Sequence, residues 1–79
     1  MTKLSNMNAE LLEFEVTSKS KITQSKIKDL DFPKSAIIAG VIRDEVGLIP
    51  LGDFEIVVGD KVVVCSLPRS INQVERFFF

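Results

Sequence analysis

Two nearly unbroken apolar runs, Ala36 to Ile42 and Val62 to Leu67, constrain this chain more than anything else in it. Both are rich in β-branched residues and bounded by turn residues, the pattern of strands covered on both faces. Between them lie the segment Leu48-Ile49-Pro50-Leu51, a Gly52-Asp53 turn and a Gly59-Asp60 turn. The region from Leu30 to Leu67 therefore reads as a compact sheet module.

The rest of the chain has little room for anything else. With 79 residues it is one small domain, and a domain of this size buries only ~60% of the surface its unfolded chain exposes. A hydrophobic content of 46% suffices for a core, and 27% charged residues argue against disorder. The formal charge of −1 is spread evenly, without the basic stripe that nucleic acid requires, so nucleic acid is excluded as a partner. A single cysteine forbids an internal disulfide and suits a reducing cytoplasmic setting. The opening MTKLSNMNAELLEFEV lacks the apolar core of a signal peptide. No apolar run approaches the ~18 residues of a membrane span, so no direct membrane insertion is expected.

Residues 1–9 are polar and aperiodic and read as a disordered end or linker remnant; the domain proper is 10–79. From Glu10 to Val16 the pattern alternates, with Leu12, Phe14 and Val16 on one face and Glu13 and Glu15 on the other, as in an edge strand. Within Ser18 to Leu30, Thr23 or Ser25 is placed to cap a short helix burying Ile27 and Leu30, which Phe32-Pro33 terminates. The strand Ala36 to Arg43 should turn through Asp44 to Gly47 into a strand Leu48 to Leu51, kept short or at an edge by Pro50. Lys61 to Leu67 forms the last strand. Ser70 and Gln73 match a capping box that opens a C-terminal helix, with Ile71, Val74 and Phe78 on its inner face. Phe77-Phe78-Phe79 must pack under the sheet or be covered by a second chain.

Catalytic chemistry finds little support. Histidine is absent, which removes Ser-His-Asp triads, Cys-His dyads and the commonest metal ligand. One cysteine cannot build a zinc site, and Cys65, within Val62-Val63-Val64-Cys65, reads as a small core hydrophobe. Asp53 and Asp60 each follow a glycine at a chain reversal and read as turn residues bonding their own backbone. The four glycines form neither G-x-G-x-x-G nor a P-loop. Arg43 reads as a solvated strand-end charge, with an anion contact as its alternative.

The chain resembles the TrkA-C domain, the C-terminal lobe of the regulators of potassium conductance. The resemblance runs from about Leu12 to Phe78. It rests on Lys28-Asp29-Leu30-Asp31-Phe32-Pro33, Ile37-Ile38-Ala39-Gly40-Val41-Ile42-Arg43-Asp44, Leu48-Ile49-Pro50, Gly52-Asp53, Gly59-Asp60-Lys61-Val62-Val63-Val64 and Leu67-Pro68 in that order. The family implies a sheet carrying helices, paired with a second copy, behind a nucleotide-binding lobe on the cytoplasmic side of potassium channels or transporters. Some members bind cyclic di-adenosine monophosphate between two copies and thereby lower potassium uptake. These 79 residues do not include that nucleotide-binding lobe. The ligand-binding members also carry an arginine ahead of the second strand and an asparagine at its start, where this chain reads Phe32-Pro33-Lys34-Ser35-Ala36-Ile37. Ile37, Ile38 and Pro50 fall where the family's cleft is lined. Phosphate donors there would be Lys34 and the backbone amides near Ser35 and Ala36.

The resulting expectation is an α+β TrkA-C-like domain: a small, mainly antiparallel sheet, a short helix after the first strand and a C-terminal helix. Its expected function is non-catalytic, as a regulatory domain of a potassium or other cation transport system. It would act as a homodimer bound or fused to a membrane channel or transporter, cytoplasmic and peripheral to it. No cofactor is required; sensing of a small ligand at the dimer cleft, cyclic di-adenosine monophosphate among the candidates, stays open, although the motif residues do not support that ligand. The alternative is a structural oligomerisation module attached to another transporter or a transcriptional regulator.

Overall fold

The computed structural model describes residues 8–79, so most of the expected linker remnant lies outside the described residues. Four strands form one antiparallel sheet: β1 (Glu10–Glu15), β2 (Ala36–Arg43), β3 (Val46–Leu48) and β4 (Lys61–Ser66), in spatial order β1-β4-β2-β3. The helix α1 (Ile71–Glu75) completes the α+β fold. β1 lies at an edge, as its alternation predicts. The core gathers on one face of the sheet, where Phe14, Val41, Val62 and Val64 meet Val16, Ile22, Ile56, Val74 and Phe78.

The two apolar runs are covered on one face only. In β4 Val62, Val64 and Ser66 point inward and are buried, while Lys61, Val63 and Cys65 point outward. Cys65 is therefore half-buried on the outer face and not a core residue. A period of two places alternate residues on opposite faces whatever their polarity, and the turns and helix of this small chain pack on a single side.

β2 does not keep one alternation throughout. Ala36 and Ile38 pair with Ser66 and Val64 on the inner face, but the register shifts between Ile38 and Gly40, leaving Ala39 as an extra residue. Beyond this bulge the parity reverses, so Val41, opposite Val62, is the inward residue and Arg43 follows on the same side. The bulge thus delivers Arg43 to Asp60 instead of to solvent. Its Nε and one terminal nitrogen donate to the two carboxylate oxygens at 2.9 and 2.7 Å. The same nitrogen reaches the Glu55 carbonyl at 3.1 Å, and the guanidinium lies 4.9 Å from the centroid of the Phe54 ring. Asp60 also accepts from the Val57 amide, so the turn reading holds while an ion pair is added to it. Asp53 instead pairs with Lys28 at the surface, 2.9 Å away.

Three local expectations change. The β2–β3 turn is Asp44-Glu45, both at positive φ (51° and 67°), and β3 ends at Leu48 so that Pro50 lies beyond it. Such a two-residue turn matches the strand twist, and this gain outweighs the poor left-handed propensity of glutamate. The helix between Ser18 and Leu30 is two separate 3-10 turns, Lys21–Gln24 and Ile27–Asp29, and neither Thr23 nor Ser25 caps one. Its strongest anchor is Ile22, fully buried, with Ile27 and Leu30 only partly so. Ser70 makes no capping bond, because Pro68–Ser70 already forms a 3-10 turn leading into α1.

Of the C-terminal aromatics, Phe77 and Phe78 pack beneath the sheet, while Phe79 stays 79% exposed. Phe78 stacks on Phe14 with ring centroids 4.3 Å apart and planes 4° from parallel, and Phe77 lies against Phe32 at 5.1 Å. The buried Ser20 hydroxyl donates to the Phe78 carbonyl at 2.8 Å, and the Ile22 amide donates to the Phe77 carbonyl at 3.0 Å. The chain end is therefore locked to the segment after β1.

Two outcomes test this packing. Val74→Asp puts a charge at a site with no exposure and should cost on the order of 3–5 kcal/mol, unfolding the domain, whereas exposed Asn72→Ala should cost about 0.5 kcal/mol or less in denaturant titrations. Arg43, followed by the Val57 amide, holds the Asp60 carboxyl below its usual range. A depressed carboxylate stabilises the fold above the unfolded-state value, and that contribution is lost as pH falls through the folded one. Melting temperature should therefore fall between about pH 5 and pH 3 more steeply in the wild type than in Asp60→Asn.

Candidate functional site

The loop 30–35 decides where β2 begins. Pro33 has a restricted backbone, and its carbonyl accepts the Ala36 amide at 3.2 Å, closing a turn into the strand. The Ser35 carbonyl accepts the Leu67 amide at 2.9 Å, fastening this loop to the end of β4. On the other side, the Ile27 and Lys28 amides donate to the Phe54 and Gly52 carbonyls at 3.1 and 2.9 Å. Gly52 permits that approach: a Cβ there would meet the Lys28 Cβ at 3.3 Å.

These fastenings frame two adjoining concavities at the start of β2. A cavity of about 290 Å³ brings Ala36, Ile37, Ile38 and Pro50 together with Ile27 and Phe32. A second, of about 230 Å³, is lined by Lys34, Ser35, Ala36 and Ile37 with Ala9, Cys65 and Leu67. All six residues singled out from the sequence thus border one of two hollows that share Ala36 and Ile37. One detail changes: the Ala36 amide is engaged by Pro33 and is no free phosphate donor, which leaves Lys34 as the charged group at this rim.

The hollows continue onto the outer sheet face. There Leu11 (73% exposed), Cys65 and Ile37 (64% exposed) form one cross-strand row, and Val63 and Gly40 lie in the next. Charge enters in that second row, where Glu13 stands opposite Val63, and continues to the far end, where Glu15 and Lys61 pair across the strands. Such a surface can receive a flat apolar body. Among the described residues no three His, Cys, Asp or Glu side chains converge as metal ligands.

Sequence reasoning missed Ile27 and Phe32 as walls of the larger hollow. Both had been assigned to helix packing or termination, and only the chain reversal at 27–33 turns them toward Pro50. It also missed the Arg43–Asp60 pair, for which the one available signal was a strand-end arginine beside a Gly-Asp turn.

Comparison with known proteins agrees with this geometry. The TrkA-C domain model matches residues 11–78. The chain is similar to the Trk system potassium uptake protein TrkA homolog 1 of Methanosarcina mazei, 35% identical over 78 residues covering 99% of this chain and 17% of that protein. It is also similar to the Trk system potassium uptake protein TrkA of Azorhizobium caulinodans, 32% identical over 69 residues covering 87% of this chain and 15% of that protein. The chain thus spans about a sixth of the length of the curated relatives it matches. A solved structure described as "Structure of RCK domain with cda" superposes with a TM-score of 0.70 at 18% identity, covering 87% of this chain and 97% of that one. At that identity the likeness concerns the fold.

The outward position of Cys65 has a direct check. In native protein it should react with a thiol reagent at a rate well above that set by global unfolding, which a buried core thiol would follow. Labelling only under denaturing conditions would put Cys65 back in the core.

Proposed function

This chain belongs to the TrkA-C domain family, and from that premise we propose that it is a non-catalytic regulatory and pairing domain of a potassium-uptake system. The observation that carries the reading is the outer sheet face, where Leu11 and Ile37 stand largely exposed above two apolar hollows. A surface of this kind is covered in a working assembly, and an antiparallel face related by a two-fold axis is complementary to itself. The potassium-uptake names of its relatives support the transport assignment. No helix of the described residues is long and apolar enough to cross a membrane. On this reading, which rests on the relatives' potassium-uptake names, the domain acts from the cytoplasmic side, peripheral to the transporter it regulates.

The mechanism is mechanical. Two copies meet face to face, and the hollows lined by Ala36, Ile37, Ile38 and Pro50 then lie near the two-fold axis, each present twice. A ligand seated between them, with Lys34 and Ser35 at the rim, shifts the arrangement of the pair if it binds one arrangement more tightly than the other. A two-fold symmetric molecule with two flat rings, such as cyclic di-adenosine monophosphate, matches walls of this shape.

Sedimentation at micromolar concentration should give twice the chain mass. Ile37→Asp should yield monomer while changing unfolding stability by about 0.5 kcal/mol or less, since Ile37 contributes little to the core. A monomeric wild type would overturn the pairing. If pairing holds but cyclic di-adenosine monophosphate leaves the melting temperature unmoved at millimolar concentration, pairing remains as the function and this ligand is excluded.

A further inference from the structure

A cavity larger than these two hollows lies elsewhere, on the side of the domain where the C-terminal segment packs. It has a volume of about 410 Å³, within the range of small-molecule sites. Its floor is the Phe32–Phe77 pair, with ring centroids 5.1 Å apart and planes inclined by 53°. Both rings are half-buried, so part of each faces the hollow. The walls are fixed relative to one another, because the Ile22 amide beside Lys21 donates to the Phe77 carbonyl at 3.0 Å.

Three cations stand around this aromatic floor: Lys21, Lys34 and Arg76. Among the described residues the ion pairs are Lys28–Asp53 and Arg43–Asp60, so none of the three is neutralised within the fold. Asp31 is the one carboxylate at the rim, which leaves a local excess of two positive charges on a chain whose formal charge is −1. That concentration is not expected from evenly mixed surface charge. It fits the nearly double negative charge of a phosphate monoester at neutral pH, where a carboxylate would match only half of it.

We propose that this cavity is a second binding site, for a phosphomonoester that carries a planar ring and is about the size of a nucleoside monophosphate. The ring lies against Phe32 and Phe77, since flat heteroaromatic rings stack on such faces irrespective of their exact substituents. The phosphate is held by Arg76, whose fork suits two of its oxygens, with Lys21 and Lys34 as point charges. The Gln73 amide can donate to and accept from the ring edge, and Asp31 can accept from a sugar hydroxyl. Lys34 also lines the smaller hollow on the outer face. Occupancy here therefore moves a residue that borders the pairing surface.

The test is an amide-resolved NMR titration of the whole chain with adenosine 5′-monophosphate, adenosine and inorganic phosphate as separate probes. The monophosphate should give saturable shifts centred on Lys21, Phe32 and Phe77 and bind at least about tenfold more tightly than either part alone, because both halves of the site are then used. Lys21→Glu/Arg76→Glu, at two exposed positions, should weaken binding by about tenfold or more. Lys26→Glu/Lys61→Glu, with the same change in net charge away from the cavity, should weaken it less than about threefold. Three results would each overturn the proposal: no saturable shift at about 20 mM monophosphate in low salt, saturation at Ile37 and Pro50 instead, or equal losses from the two double variants. Pairing is read separately by sedimentation without nucleotide, so failure here and failure of the pairing reading are distinguishable.

Discussion

A carboxylate with 2% side-chain exposure, Asp60, organises one end of this fold. Burying such a charge costs several kcal/mol unless its oxygens are bonded, and here they take two donors from Arg43 and one from the Val57 amide. The three residues involved come from different pieces of chain. Arg43 ends β2, Val57 belongs to the loop that carries buried Ile56, and Asp60 itself leads into β4. Its backbone carbonyl accepts the Val16 amide at 2.8 Å, which adds the end of β1. One residue thus joins the end of β1, the end of β2, the start of β4 and the loop that precedes β4. Arg43 remains 34% exposed and lies against Phe54, so the pair is strong without being sealed.

The bulge at Ala39 and this ion pair depend on each other. Without the extra residue, the parity set by Ala36 and Ile38 would send Arg43 outward and bring Ile42 to the inner face. With it, both ends of β2 present their bulky residues to the core, at the cost of a local break in the ladder. The break falls beside the hollows at the start of the strand. The geometry of those hollows is therefore coupled to the ion pair through a few residues of backbone.

All of the packing elements sit on one side of the sheet, and this asymmetry shapes what the domain can do. A chain of this length can bury one sheet face and leaves the other for a partner. The apolar residues that remain outside are ordered in cross-strand rows on a rigid ladder, which suits them to meet another surface without rearrangement. Opposite them, the C-terminal phenylalanines lock the chain end to the segment after β1 and simultaneously floor a cationic hollow. Two faces of contrasting character, one apolar and one basic and aromatic, are thereby connected through the short loop containing Lys34.

The periodicities of β1, β2, β4 and α1, the Gly59-Asp60 reversal and the family resemblance were all legible in the residues, because each is a local pattern of side chains along the chain. The six residues from Lys34 to Pro50 were singled out by their place in the family's order, and in the fold they border two hollows. Faces and partners were not legible. An apolar run cannot report whether its second face meets the same chain or another, so Cys65 read as core. A single-residue bulge leaves no mark in the pattern yet reverses the parity of everything beyond it, which is why Arg43 read as solvated. Likewise Thr23, Ser25 and Ser70 are good caps in isolation, but the chain forms 3-10 turns there: Ser20 and Ile22 are held by bonds to the Phe78 and Phe77 carbonyls, and the Ser70 amide closes a turn onto the Leu67 carbonyl. Local sequence determined which segments are strands and turns. Long-range packing decided which way they face, since that depends on contacts between residues far apart in the chain.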